Sequence, residues 1–206
     1  ELNPQHAVYA SITRSLNPQS ALDRNGTLLP PETGTNVEAG IKGEYLGGRL
    51  NASAAVFEIR KKNIARSLDA AECNGALSCS EAAGEIRARG FEAEVVGAIT
   101  AAWNLQAGYS YTGAEYTKSA SAATPVGSAY NTTVPRRLLR LASTYRFGGA
   151  LQGWRVGANL QAQSKIWRTS GGNLQRHGGM GIVGLMAGWQ ATPRLDLRLT
   201  VSNLFD

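Results

Sequence analysis

The stretch Trp103-Asn104-Leu105-Gln106-Ala107-Gly108-Tyr109-Ser110-Tyr111-Thr112 alternates strictly between two kinds of residue. Its odd positions are aromatic or aliphatic, and its even positions are polar or glycine. Because successive side chains of a β-strand point to opposite faces, this alternation predicts a strand with one apolar and one polar face. At about ten residues, such a strand has the length needed to cross a bilayer at a tilt.

Eight further runs of the same kind divide the rest of the chain, which predicts nine strands in all. The clearest have Trp154, Val156 and Leu160 on one face, or Leu195, Leu197 and Leu199. Since no helical period and no strongly charged run interrupts them, an all-β chain is expected. The eight runs cover approximately residues 6–15, 36–45, 50–60, 85–98, 137–147, 154–163, 181–191 and 195–202.

The connections between these runs alternate between short and long. Short turns lie at residues 46–49, 99–102, 148–153 and 191–194, and long polar loops lie at about 16–32, 63–82, 117–135 and 167–179. This alternation of short turns and long loops is typical of an outer-membrane β-barrel, which has short turns on one side of the membrane and long loops on the other. A soluble β-sandwich also alternates along its strands, but its inward residues are usually larger than Ala and Gly, and its loops need not alternate in length.

The composition agrees with a membrane barrel and excludes other classes. Of 206 residues, 43% are hydrophobic, 17% are charged and 24 are glycines. A disordered chain would carry more charge, and a helical bundle would be richer in Leu, Glu and Lys. Five aromatic residues near the short turns suit an interfacial girdle; these are Tyr45, Trp103, Phe147, Trp154 and Trp189.

We expect this sequence to be part of a longer protein. Bacterial barrels of a single chain have an even number of strands, and nine leave two unpaired edges. The chain also begins at Glu1 without a leader, and it ends at Asp206 directly after a strand.

Several stretches of the sequence jointly resemble the carboxy-terminal part of a TonB-dependent ferric-siderophore receptor. The resemblance covers nearly the whole chain, and its motifs are specific together rather than singly. They are Leu29-Pro30-Pro31-Glu32-Thr33-Gly34, residues 40–45, 48–53 and 57–64, Gly84-Glu85-Ile86-Arg87-Ala88-Arg89-Gly90-Phe91-Glu92-Ala93-Glu94, residues 103–111 and 131–137, and Val201-Ser202-Asn203-Leu204-Phe205-Asp206.

This resemblance implies an antiparallel transmembrane β-barrel segment, about nine strands of a larger, 22-stranded barrel with a plugged lumen. All of residues 1–206 would then form the carboxy-terminal portion of the barrel domain. The plug, the segment that contacts TonB and the first half of the barrel would lie elsewhere in the protein. The implied function is import of ferric siderophores through the outer membrane of a Gram-negative bacterium, with the iron carried inside the substrate and no cofactor held by the protein.

Two other functions remain open from the sequence. One is a passive, porin-like or adhesive barrel that lacks an energised partner. The other is an enzyme of the membrane-barrel lipase type, although the sequence contains no Gly-x-Ser-x-Gly elbow, P-loop or His-Glu-x-x-His motif. Neither His6 nor His177 has neighbours that suggest a metal site. We therefore predict no catalytic residue.

The two cysteines lie in one long loop. Cys73 and Cys79 are separated by five residues, and in the oxidising periplasm a local disulfide is their expected state. Such a bond would restrict the loop rather than perform chemistry.

Basic residues concentrate on the side of the long loops. That half carries 15 of the 21 Lys and Arg residues, but only 8 of the 15 Asp and Glu residues. Arginine suits phosphate and carboxylate oxygens, so the surplus favours lipopolysaccharide or an anionic chelate over nucleic acid. The alternative, which we weight equally, is that these loops are charged because they face water and that they bind no specific anion. The candidate contacts for ligand or lipopolysaccharide are Tyr116, Tyr130, Arg136, Arg137, Arg140, Trp167 and Arg168.

Overall fold

The computed structural model describes residues 3–170 and 173–205, with the side chain of Ser170 excepted. In this part of the chain, eleven strands account for nearly all regular structure. They are β1 (His6–Asn17), β2 (Glu32–Tyr45), β3 (Leu50–Ser67), β4 (Ser80–Ala98), β5 (Trp103–Lys118), β6 (Arg137–Arg146), β7 (Trp154–Gln163), β8 (Ile166–Ser170), β9 (Asn173–His177), β10 (Met180–Thr192) and β11 (Leu195–Val201).

Nine of these strands form one antiparallel sheet in the order β1-β2-β3-β4-β5-β6-β7-β10-β11. Each strand pairs with its neighbour in sequence, except that β7 pairs with β10 across the β8–β9 segment, and the result is an up-and-down barrel wall. The nine strands predicted from alternation are confirmed. The loop predicted at 167–179 is wrong in part, because β8 and β9 form a separate hairpin within it.

The sheet has two chemically different faces. On the outer face, unbroken cross-strand rows of apolar side chains run from strand to strand. One such row joins Ala107 to Leu141, Leu141 to Leu160 and Leu160 to Val183. On the inner face, the neighbouring row joins Gln106 to Ala142 and Asn159.

The apolar side chains of the outer face stay exposed. Ile12 is 72% exposed, Val56 60% and Leu199 66%. The described residues bury six hydrophobic side chains, and four of these lie in or beside the loops: Leu29, Leu68, Cys73 and Cys79. A β-sandwich would cover one face of this sheet with a second sheet, so the structure excludes that alternative.

Short turns connect the strands at one edge of the wall, as predicted. Gly47 and Gly48 complete the β2–β3 turn with φ angles of +68° and +80°, which glycine adopts without steric cost.

At Gly90, the alternation of apolar residues shifts, which suggests a bulge, but the strand pairing there is continuous. The ring of Phe57 lies so close to Gly90 that a Cβ atom would collide with it, so glycine provides space here rather than a bulge.

Three central strands extend beyond the predicted bounds. β3 continues to Ser67, β4 begins at Ser80 and β5 continues to Lys118. We call residues 58–67, 80–89 and 113–118 the outward overhang. Bulges lie between Lys61 and Ile64 and between Glu85 and Ile86, so the strands bend within it. No helix among the described residues is long and apolar enough to span a membrane.

Candidate functional site

The first two long loops pack against each other above the overhang. The Ser80 amide donates to the Leu22 carbonyl at 2.8 Å, and the Asn74 side chain donates to that of Asn25 at 3.2 Å. Leu29 and Leu68 are 7% and 8% exposed, which makes them two of the most buried side chains described. We call residues 18–31 and 68–79 the loop module; its buried cluster consists of Leu68, Cys73 and Cys79 in the second loop.

A disulfide between Cys73 and Cys79 crosslinks the second loop of this module. Cys73 is fully buried, and the Leu68 amide donates to the Cys79 carbonyl at 2.9 Å. A 3-10 turn at residues 70–72 begins after Asp69, whose backbone amide donates to the Glu72 side chain at 3.2 Å. The disulfide and these hydrogen bonds together hold an otherwise irregular segment in one conformation.

The third long loop folds back along the upper end of β5. The Tyr116 amide donates to the Ser128 carbonyl at 3.0 Å, and the Tyr130 amide donates to the Ala114 carbonyl at 2.9 Å. This return brings the Tyr116 and Tyr130 rings to 5.4 Å in an edge-to-face contact. Burial raises the pKa of the Tyr116 phenol above its usual value, and nearby Tyr130 adds to the rise. The two candidate tyrosines therefore form one aromatic pair.

The fourth long loop meets the third through Trp167. Its amide donates to the Thr132 carbonyl at 2.9 Å, and the Arg136 guanidinium lies 5.8 Å from the centre of its ring. That distance suits a cation–π contact. Arg168 donates from Nε to the Gln175 side chain at 2.7 Å across the β8–β9 hairpin. Trp167, Arg136 and Arg168 thus lie on joined loops, which sequence reasoning named without showing their contact.

Arg137 and Arg140 lie on opposite faces of β6. Arg137 is in register with Tyr111 on the outer face, whereas Arg140 lies between Gly108 and Gln161 on the inner face. Arg140 therefore belongs to the barrel wall rather than to a loop. The alternation of β6 already contained this information, because an odd and an even position cannot share a face.

The inner face carries a polar surface that sequence reasoning did not single out. A recess of about 640 Å³ is lined by Arg140 together with Glu38, Glu92, Glu94 and Gln106. The Tyr9 hydroxyl donates to Glu38 at 2.6 Å, which orients that carboxylate. The signal for this surface was present in the sequence, since carboxylates at positions i and i+2 of a strand point to the same face.

The matched family model describes a TonB-dependent receptor-like β-barrel and covers residues 1–204. The ferric-pyoverdine M114 receptor PbuA of a Pseudomonas species is 37% identical over 209 residues, which cover all of this chain and 25% of that protein. The crystal structure of the ferripyoverdine receptor of Pseudomonas aeruginosa superposes with a TM-score of 0.87 at 33% identity, over all of this chain and 28% of that one.

A receptor for a different chelate is also similar. The alcaligin outer-membrane receptor FauA of Bordetella pertussis superposes with a TM-score of 0.77 at 30% identity, over 98% of this chain and 33% of that one. The chain spans about a quarter of the length of the curated relatives it matches. These relatives have the same wall of paired strands, with its outward loops, inside a much longer protein.

Proposed function

Because this chain belongs to the TonB-dependent receptor-like β-barrel family, we propose that the protein containing it imports ferric siderophores through the outer membrane of a Gram-negative bacterium. The chain would supply the carboxy-terminal part of a 22-stranded barrel. The plug and the segment that contacts TonB would lie in the rest of the protein. The family is one of receptors rather than enzymes.

The observation that carries this proposal is the superposition of the whole chain on a siderophore receptor bound to its chelate. Fold alone does not establish a substrate, but four of the relatives at 30% to 37% identity are named as receptors for ferric pyoverdines. Ferric pyoverdines are therefore the first chelates to test. The comparisons give the alternative of a passive or adhesive barrel no support.

The joined third and fourth loops are the part of this chain that we assign to chelate capture. The Tyr116–Tyr130 pair offers an apolar aromatic surface, and the Arg136–Trp167 pair adds a positive charge held over a ring. Aromatic faces pack against flat organic groups, and guanidinium groups pair with anionic oxygens. The iron remains ligated by its chelate throughout.

Capture and transport require different parts of the protein. The loops of this chain would select and hold the chelate. The inner face, with Arg140 and Glu92, would contact the plug that occupies the lumen. Movement through the barrel would then depend on TonB acting on the plug, while the wall described here stays fixed by its continuous strand pairing.

The test is uptake of ⁵⁵Fe-labelled pyoverdine by cells that carry the full-length protein as their only receptor for that chelate. Uptake should require TonB, and it should stop in a strain without it. Uptake that continues without TonB would mean that the barrel is passive.

The double variant Arg136→Ala with Trp167→Ala tests the assigned loops. It should weaken binding of the ferric chelate by about tenfold, because it removes a cation–π pair and a stacking surface. Arg194→Ala, in the short β10–β11 turn at the opposite end, is the matched control and should bind normally. Equal binding by both variants would show that capture lies elsewhere.

A further inference from the structure

We propose that four arginines of the outer face bind the phosphate groups of phosphorylated lipid, namely lipopolysaccharide in the outer leaflet. We call Arg14, Arg60, Arg87 and Arg89 the arginine patch. This inference rests on the outer-membrane placement proposed above, and it adds a lipid-facing site to the transport function.

The strand register gathers the arginine patch on neighbouring strands. Arg14 pairs with Thr35, Thr35 with Arg60, and Arg60 directly with Arg87. Arg89 follows Arg87 by two residues on the same face of β4. The patch is therefore one contiguous basic surface on β1, β3 and β4, although its residues are scattered along the sequence.

The aromatic residues beside the arginine patch indicate its level relative to the membrane. Phe91, two residues below Arg89, has its ring 5.5 Å from that of Tyr109 and 6.1 Å from that of Tyr111. Aromatic girdles mark the boundary between hydrocarbon and headgroups in membrane barrels. Directly above such a girdle, the arginine patch lies at the level of lipid headgroups.

The carboxylates near the arginine patch neutralise it only in part. Glu58 accepts from Arg60 at 2.6 Å and from Arg89 at 2.5 Å, and Glu115 accepts from Arg87 at 2.5 Å. Two acids therefore face four cations. Arg60 and Arg87 are also direct cross-strand partners, an arrangement that is destabilising for like charges unless an anion lies between them.

The arginine patch keeps N–H donors that its two carboxylates do not occupy. A guanidinium carries five N–H donors in a planar fork, which suits the several acceptor oxygens of a phosphate. Arg60 and Arg89 are 53% and 60% exposed, so their remaining donors are open to the same anion.

The surroundings favour a lipid phosphate over a free one. Below the arginine patch, Ile12 and Val56 are 72% and 60% exposed on the same face. A molecule with phosphates above and acyl chains below would contact both surfaces at once, whereas free phosphate would contact only the arginines. The patch and the apolar rows therefore fit a single amphipathic ligand.

The first experiment titrates purified, delipidated full-length protein in neutral detergent with three probes: bisphosphorylated lipid A, its dephosphorylated counterpart and inorganic phosphate. Wild type should bind the phosphorylated lipid at least about tenfold more tightly than the dephosphorylated one. The triple variant Arg60→Gln, Arg87→Gln, Arg89→Gln should lose this preference. A triple variant that retains it would overturn the proposal, as would wild-type protein that binds inorganic phosphate as tightly as the lipid.

A control with the same change in charge is available at the short-turn end of the barrel. Arg49→Gln, Arg146→Gln, Arg194→Gln removes three positive charges at the short turns, away from the arginine patch and from the long loops. It should bind phosphorylated lipid as wild type does. Loss of the preference in this control as well would mean that net charge, rather than a built site, attracts the lipid.

One single substitution should have the opposite effect on the affinity for phosphorylated lipid. Glu58→Gln removes the carboxylate that competes for Arg60 and Arg89, so it should tighten binding of the phosphorylated lipid several-fold. A merely structural role for these ion pairs predicts no such gain, and unchanged or weaker binding would count against the site. Chelate uptake by all these receptors, measured under TonB-dependent conditions, separates failure of this site from failure of the transport function.

Discussion

The apolar rows of the outer face and the loop module bury their side chains in opposite ways. In the rows, large aliphatic residues such as Ile12 and Leu199 remain exposed in the isolated chain. In the module, Leu29 and Leu68 are covered by protein, and Cys73 is completely enclosed. The same apolar residue types therefore occupy two different environments. Those of the rows are exposed and suit contact with hydrocarbon, whereas those of the module are buried away from water.

This difference shows where the stability of each region originates. Across the rows, every strand is hydrogen-bonded to its neighbour, so backbone pairing holds the wall and side-chain packing contributes little. The module has irregular backbone and a very small core, so it depends on a disulfide and on a few hydrogen bonds between loops. Substitutions should consequently damage the two regions through different mechanisms.

The largest expected effect comes from placing a charge in the middle of the apolar rows. Leu141→Arg in the full-length receptor should cost about 2–4 kcal/mol, because the guanidinium would face hydrocarbon. The amount of folded receptor recovered from the outer membrane should fall sharply. Gln106→Arg, on the inner face, is the matched control and should assemble, since its side chain avoids lipid and lies near Glu94. Equal loss in both variants would mean that the outer face does not meet lipid.

An intermediate effect should follow from removal of the disulfide. Cys73→Ser with Cys79→Ser should cost about 2 kcal/mol within the module, because the open loop gains conformational entropy. Hydrogen exchange should quicken across residues 68–79, while the strands and membrane assembly remain unchanged. If this variant fails to assemble, the two regions are coupled, contrary to the comparison above.

The smallest effect should be found at the lower rim of the wall. Trp154 stacks on Trp189 with ring centres 5.3 Å apart and planes inclined by 11°. Trp154→Leu keeps an apolar side chain but removes the stacking, so it should cost about 0.5–1.5 kcal/mol. A small fall in the thermal midpoint of the detergent-solubilised receptor would agree, whereas loss of assembly would show that the rim determines more than local packing.

The strands in contact with lipid could be predicted from sequence because a membrane forces strict alternation. The run from Trp103 to Thr112 has one apolar face throughout, and the structure places it within β5. The outer part of the overhang, residues 61–67, 80–84 and 113–118, was missed because the continuous apolar rows of the outer face end before it. The β8–β9 hairpin was missed for a similar reason, since Asn173–His177 contains a single aliphatic residue.

The candidate site could be predicted only as a set of residue types. Tyr116 and Tyr130 are named readily as aromatic residues near outward loops, but their contact depends on the return of the third loop along β5. The Arg136–Trp167 contact joins two loops that are separated by β6 and β7. The arginine patch was accessible only through register, because Arg60 and Arg87 are adjacent in space and 27 positions apart in sequence.

The length of the central strands has a consequence for the surface of the cell. At roughly 3.3 Å per residue, the 19 residues of β4 span about 60 Å. Even with a tilt of about 40°, that gives a height of about 45 Å, well above the roughly 25 Å of the apolar band. In the proposed outer-membrane placement, the upper ends of the central strands would therefore extend well beyond the apolar band, into the layer of surface sugars. Molecules in the medium would meet this rim before the bilayer, and antibodies bound there would compete with the proposed capture of the chelate.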